Sequence, residues 1–187
     1  HTLCIDFVEG FPPYQGFNCI LTIVCDFTRW VWFVPCKTQT AAEAAKAIYT
    51  HVLMEHACVR RILSDRETGF EADLFQHLCK RFGIKKVRTT SYHPQTNSQA
   101  ERLHRHYPKA LAMFSKTLKD WPRFTQEVAF AYRTTPVSGI GYSPFESLYG
   151  RSPVLPVDYL SSCEQDLQVD RQKYQLDFPQ RMKAMWD

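Results

Sequence analysis

Most patterns that mark a cysteine-built, metal-built or membrane-spanning protein are missing from this chain. Its seven cysteines (Cys4, Cys19, Cys25, Cys36, Cys58, Cys79 and Cys163) are odd in number, sit mostly in apolar segments and include no CxxC pair. No Cys/His set has zinc-finger spacing, which argues against a disulfide scaffold and against structural zinc. Buried thiols in a reducing compartment are the expectation. His51, His56 and Cys58 lie close together in sequence, but with no fourth ligand they read as helix-surface or core residues. No run approaches the ~18 apolar residues of a membrane span and no charged-then-apolar leader opens the chain, so no membrane partner is expected. Internal repeats and low-complexity segments are absent, and no Ser/His/Asp or Cys/His arrangement suggests a protein nucleophile. Excess charge is also scarce: a net +4 and a pI near 8.7 permit nucleic-acid binding without demanding it.

What is present is a folding sequence, 44% apolar and 14% aromatic over 187 residues, enough for one sizeable core. It starts at His1 without Met and stops inside a helical pattern, so a piece of a longer protein is expected. Runs rich in Ile, Val, Phe, Trp and Cys at 2–8, 17–27 and 30–36 predict three strands in an antiparallel meander. Residues 40–57 predict a helix capped by Thr40, with Ala41, Ala44, Ala45, Ile48, Val52 and Leu53 on its apolar face. A short strand at 60–64, a helix at 71–83 with Leu74, Leu78 and Phe82 on one face, and a strand at 84–90 follow. The last two strands should be parallel because a helix crosses between them. Further helices are predicted after residue 98, at 120–136 (Asp120 as N-cap; Phe124, Val128 and Tyr132 on one face) and at 143–150, ending on Gly150. Residues 151–160 read as extended. The polar tail from about 170 reads as helical without a strong apolar stripe, and so as packing elsewhere in the intact protein. The pattern is an α/β layer fold with a mixed sheet.

Three carboxylates stand out in that frame. Asp6 interrupts the first strand between Ile5 and Phe7, where a charge needs a partner. Asp65 follows the apolar "RILS", and Glu101 lies one turn into the helix opened by "SYHPQTNSQAERLHRHYP". Each has a plainer role: Asp65 as a turn initiator, and Ser98 with Glu101 as a capping box. Strand ends and helix starts in such a fold gather on one edge, however, and three carboxylates there need a cation. Hard oxygen ligands select Mg²⁺ or Mn²⁺ over zinc. Asp26 also ends an apolar strand, and it reads as a residue that sets the turn into Trp30.

The segments "CIDFVEGFPP", "IVCDFTRWVWFVP", "ILSDRETGFEADLFQHLCKRFGI", "TTSYHPQTNSQAER", "FAYRTTPVSGIGYSPFESLYG" and "PVLPVD" occur in one order, and 35 residues separate Asp65 from Glu101. The sequence thereby resembles the catalytic core of retroviral-type integrases of the D,D,E class, closest to those of gypsy-type LTR retrotransposons, over about residues 2–158. That resemblance implies an RNase H-like fold, a catalytic core over 1–158 and a helical extension over 159–187. It implies a metal triad of Asp6, Asp65 and Glu101, holding two divalent ions for 3′-end processing and strand transfer. It also implies double-stranded DNA as partner, a homo-oligomer, a chromatin or host tethering factor, and a nuclear location with a cytoplasmic stage before it. Missing flanks would hold a zinc-binding domain before the core and a DNA- or chromatin-binding domain after it.

The cations around Glu101 fit such a partner. Arg105 and Lys109 fall four and eight residues after it on one helix face, beside Arg102, and would meet phosphates. Lys85, Lys86 and Arg88 on the preceding strand extend this positive surface, and Tyr92, Gln95 and Asn97 are candidate contacts to DNA ends. The chain departs from the family pattern at Ser98, usually Gly, and at His104, usually Asn. Pro108, in mid-helix, predicts a kink that re-aims Lys109. These departures motivate the alternative of a domesticated DNA- or protein-binding module without catalysis.

Overall fold

The structure is a computed structural model in which the described residues are 1–64, 73–88, 103, 107–115, 119–138, 140–161 and 171–186. The chain divides into two compact units, one of residues 1–27 and 31–132 and one of residues 28–30 and 133–187.

The first unit is built on a five-stranded sheet. Strands β1 (Thr2–Val8), β2 (Cys19–Cys25) and β3 (Val31–Cys36) form the antiparallel meander, and β4 (Arg61–Ser64) and β5 (Lys85–Arg88) add in parallel, giving the order β3-β2-β1-β4-β5. This is the mixed sheet and RNase H-like arrangement expected from the sequence. β2 is buried at every position, as a strand covered on both faces should be. β1 alternates instead: Leu3, Ile5 and Phe7 are buried, while Cys4, Asp6 and Val8 are half-buried on the other face.

Helix α1 (Ala41–Ile48) starts as predicted, with the Thr40 side chain accepting from the Glu43 N–H. A π-helical turn (Tyr49–Leu53) then leads into the short α2 (Met54–His56). α3 (Asp73–Arg81) buries Phe75 and Cys79, whereas Leu74, predicted to face the core, is exposed. The buried stripe is therefore rotated by about one residue, or ~100°, from the predicted one. α2 and α3 cover the Leu3/Ile5 face of the sheet, where His56 meets Trp32 and the Lys86 Nζ sits 5.3 Å from the Phe75 ring centre.

The opposite face carries a second core. Val8, Ile20, Val24, Val31 and Phe33 pack against Leu103, against Tyr107 and Leu111 of α4 (107–114), and against Val128 and Ala129 of α5 (Thr125–Thr134). Leu103, Tyr107 and Leu111 recur at four-residue spacing, so one apolar stripe runs past Pro108. Residues 104–106 lie outside the described residues, and with them the predicted kink; Phe114, near the end of α4, is exposed. Asp120 caps nothing with its side chain and instead accepts from the Ser115 hydroxyl at 2.7 Å. The 3₁₀ turn Trp121–Phe124 is anchored by its fully buried indole, whose Nε1–H donates to the Pro12 carbonyl at 2.8 Å.

In the second unit, α6 (Pro144–Tyr149) opens with a complete capping box between Ser143 and Glu146 and ends on Gly150 in the left-handed region at φ +65°. α7 (Pro156–Ser161) is helical where an extended segment was expected; Pro156 occupies a first-turn position that needs no N–H. α8 (Arg171–Trp186) packs on α6, contrary to the expectation that the tail would lack a partner in this chain. Phe178 and Met182 meet Gly150, and the Trp186 indole donates to the Ser147 carbonyl. Among the described residues no helix is long and apolar enough to cross a membrane.

Candidate functional site

The sheet register defines the edge at which Asp6 sits. Ile5 pairs with Ser64 of β4, and Ser64 pairs with Arg88 of β5, so β4 and β5 both end one residue short of the level of Asp6. Carboxyl ends of parallel strands are where open α/β sheets place their ligand sites. Residues 65–72 and 89–102, which leave from these two strand ends, contain Asp65, Tyr92, Gln95, Asn97 and Glu101. All five lie outside the described residues, as do Arg102 and Arg105. Asp65 follows Ser64 directly in the chain, and Glu101 precedes the buried Leu103 by two residues.

Asp6 itself is half-buried on the face that receives α4. Directly across β2 from it is Thr22, buried and polar, and across β3 from Thr22 is Phe33, whose ring lies 4.2 Å from that of Tyr107. One row across the sheet thus runs from a carboxylate through a hydroxyl to the aromatic that seats α4. Residues directly opposite share a face, with Cβ atoms ~4.5–5.5 Å apart. Burial holds the Tyr107 phenol well above the usual tyrosine range, so it stays neutral, and among the described residues its hydroxyl has no hydrogen-bond partner. Thr22 was not singled out from the sequence, although a polar residue inside "CILTIVC" was a visible signal.

The remaining candidates separate. Asp26 donates its backbone N–H to the Thr2 carbonyl at 2.9 Å, which puts it level with the start of β1. Four residues of strand, ~13 Å, lie between that level and Asp6. Lys85 is exposed and level with Thr2, at the same far end as Asp26. Lys86 is on the sheet face opposite Asp6, its ammonium over Phe75. The backbone of Arg88 ends β5 on the Asp6 edge, and Lys109 is exposed on α4.

No group of three or more metal-ligating side chains converges among the described residues. His51 and His56 flank Glu55 at 4.0 and 3.7 Å on a helical surface, in keeping with the reading of those histidines from sequence. Of the six described cysteines, all free of disulfides, Cys19, Cys25, Cys36 and Cys79 are buried, Cys4 is half-buried and Cys58 is exposed.

Residues 1–94 match the family model described as "Integrase core domain". The chain is 28% identical over 181 residues to the "Retrovirus-related Pol polyprotein from transposon 412" of Drosophila melanogaster, an alignment covering 92% of this chain. The chain spans only 15% of that polyprotein's length. In fold it is similar to the crystal structure of the catalytic core domain of BIV integrase (TM-score 0.64, 23% identity, 78% of this chain and 91% of that one). It is similar also to the HTLV-2 integrase catalytic core domain in complex with magnesium, in its trimeric form (TM-score 0.63, 15% identity, 78% of this chain and 94% of that one).

Proposed function

Because the chain belongs to the integrase core domain family, we propose that it is the catalytic core of a retroelement integrase, a metal-dependent polynucleotidyl transferase. It would trim the 3′ ends of element DNA and join them to target DNA, with Asp6, Asp65 and Glu101 as metal ligands. The observation that carries this reading is the strand register. Ile5 and Ser64 are paired, so Asp6 and Asp65 each lie one peptide beyond paired residues of adjacent parallel strands. Leu103, two residues after Glu101, is buried against the face that bears Asp6.

The donor set fits a hard divalent cation. Asp6 supplies carboxylate oxygens at a half-exposed sheet edge, where a ligand can keep open positions. When bound, two such ions would activate water or a DNA 3′-hydroxyl and stabilise the leaving oxygen of an in-line displacement. The carboxylates' own work is to hold position: Asp6 is paired with Thr22 of β2, the β1–β4 ladder holds the strand as far as the preceding Ile5, and α4 is seated through Tyr107 on Phe33. Lys109, Arg102 and Arg105 would bind phosphates, and Tyr92, Gln95 and Asn97 would contact DNA ends. Oligomerisation and nuclear action belong to the same proposal, as does a host or chromatin tether; the HTLV-2 relative's trimeric, magnesium-bound core supports the oligomer and the metal.

Purified protein with Mn²⁺ and a labelled DNA duplex should nick or join DNA. Asp65→Asn and Glu101→Gln should each abolish the reaction while leaving the circular dichroism spectrum unchanged. Full activity in both variants would remove the assignment.

A further inference from the structure

Cys19 opens β2 and Cys36 closes β3, and the register makes them direct cross-strand partners. They are the one pair of register-opposed cysteines among the described residues. Opposed residues of an antiparallel pair have Cα atoms about 4.5–5.5 Å apart, inside the 4.4–6.8 Å range that a disulfide spans. Side chains directly opposite one another also point to the same face of the sheet. The thiols are held at the same end of the ladder, where the Cys19 Sγ–H donates to the Cys36 carbonyl at 3.5 Å and the Cys36 Sγ–H to the Val34 carbonyl at 3.4 Å. Both side chains are almost fully buried, yet β3 is an edge strand and Cys36 is its last residue, so this end opens at the smallest cost in hydrogen bonds.

We propose that Cys19 and Cys36 are an oxidisable dithiol that closes to an intramolecular disulfide across the β2–β3 ladder. The oxidant class is a peroxide, small enough to enter where a bulky disulfide is not. The Cys19 thiolate attacks hydrogen peroxide, giving a sulfenic acid and hydroxide. The Cys36 sulfur then displaces the sulfenic oxygen as water, and two thiols plus one peroxide become one disulfide and two waters. Rate is limited by ionisation. Burial pushes the Cys19 thiol up to about 11 and the Cys36 thiol up to about 12. Glu43 on α1 adds to both shifts, Glu9 beyond β1 adds to that of Cys19, and Cys19 adds to that of Cys36; the Leu21 backbone opposes at Cys36. Lys37, the cation next to Cys36 in sequence, lays its alkyl chain over Gly16.

The test is peptide mapping of the folded protein after hydrogen peroxide, digested without reduction. A linked peptide pair containing Cys19 and Cys36 is expected, reversed by dithiothreitol, with no shift to dimer on a non-reducing gel. Its formation rate should rise about tenfold per pH unit between pH 7 and 9, because the thiolate is the nucleophile. Cys36→Ser should abolish the link and carry the Cys19 product on to sulfinic acid. The proposal fails if native protein yields Cys19 and Cys36 unlinked under conditions that oxidise the exposed Cys58. It fails equally if the link appears only after unfolding in urea.

Discussion

Asp6 shows how far a single residue can be read without its partners in view. An acid between Ile5 and Phe7 breaks the pattern of a strand, and the fold answers by turning it to a half-exposed edge while its neighbours are buried. On the proposed function Asp6 serves chemistry and not packing, so activity should separate from stability. Asp6→Asn should therefore lower metal-dependent DNA cleavage by more than ~100-fold, beyond the usual effect of losing an outer-shell partner, with a urea midpoint equal to or above that of the parent chain. Parallel activity and urea-unfolding measurements check this; a variant that loses stability along with activity would make Asp6 structural. Thr22 was passed over because threonine is common in strands, and only the register shows that it faces Asp6.

At the scale of elements, caps and backbone geometry carry separable energies. In α6 the Ser143 side chain accepts from the Glu146 N–H, and the Glu146 carboxylate accepts from the Ser143 N–H and from the Ser143 and Ser152 hydroxyls. These bonds, the Ser143 N–H foremost, hold the Glu146 carboxyl below its ordinary value of 4.5. A lowered carboxyl stabilises the folded state at pH above that value and loses the contribution as pH falls through its folded pKa. Ser143→Ala should cost about 1 kcal/mol in thermal or urea unfolding at pH 7. Glu146→Gln should flatten the acid limb of the stability curve. α2 ends on Ala57 at φ +65° and ψ −171°, a region held almost only by glycine. Ala57→Gly should raise stability by about 1 kcal/mol, the relieved strain outweighing the added chain entropy; a lower urea midpoint would contradict it.

Elements were legible where period and punctuation agreed, as in the Thr40 cap and in Gly150 closing α6. α3 was misread because Leu74, Leu78 and Phe82 match helical spacing as well as the true stripe of Phe75 and Cys79 does. Prolines made α7 look extended, although Pro156 begins a helix. In α8 the stripe of Phe178, Met182 and Trp186 has four-residue spacing but is narrow, so it vanished among polar neighbours.

Across the whole molecule, strand order does the work that no local motif could. The sequence implied three antiparallel strands and two parallel ones, but only the order β3-β2-β1-β4-β5 puts the strand bearing Asp6 beside the strand that leads to Asp65. It also puts Asp26 at the far end, although both acids follow apolar strand residues. The same sheet seats α4 over the face that bears Asp6 through Leu103, Tyr107 and Leu111. The proposed function rests on one claim, that Asp6, Asp65 and Glu101 share two divalent ions. Anomalous diffraction from crystals grown with Mn²⁺ tests it most directly. Two manganese peaks ~3.5–4 Å apart, ligated by those three carboxylates with Asp26 unligated, are the expected result. Manganese bound elsewhere, or Asp6 absent from its coordination sphere, would contradict it.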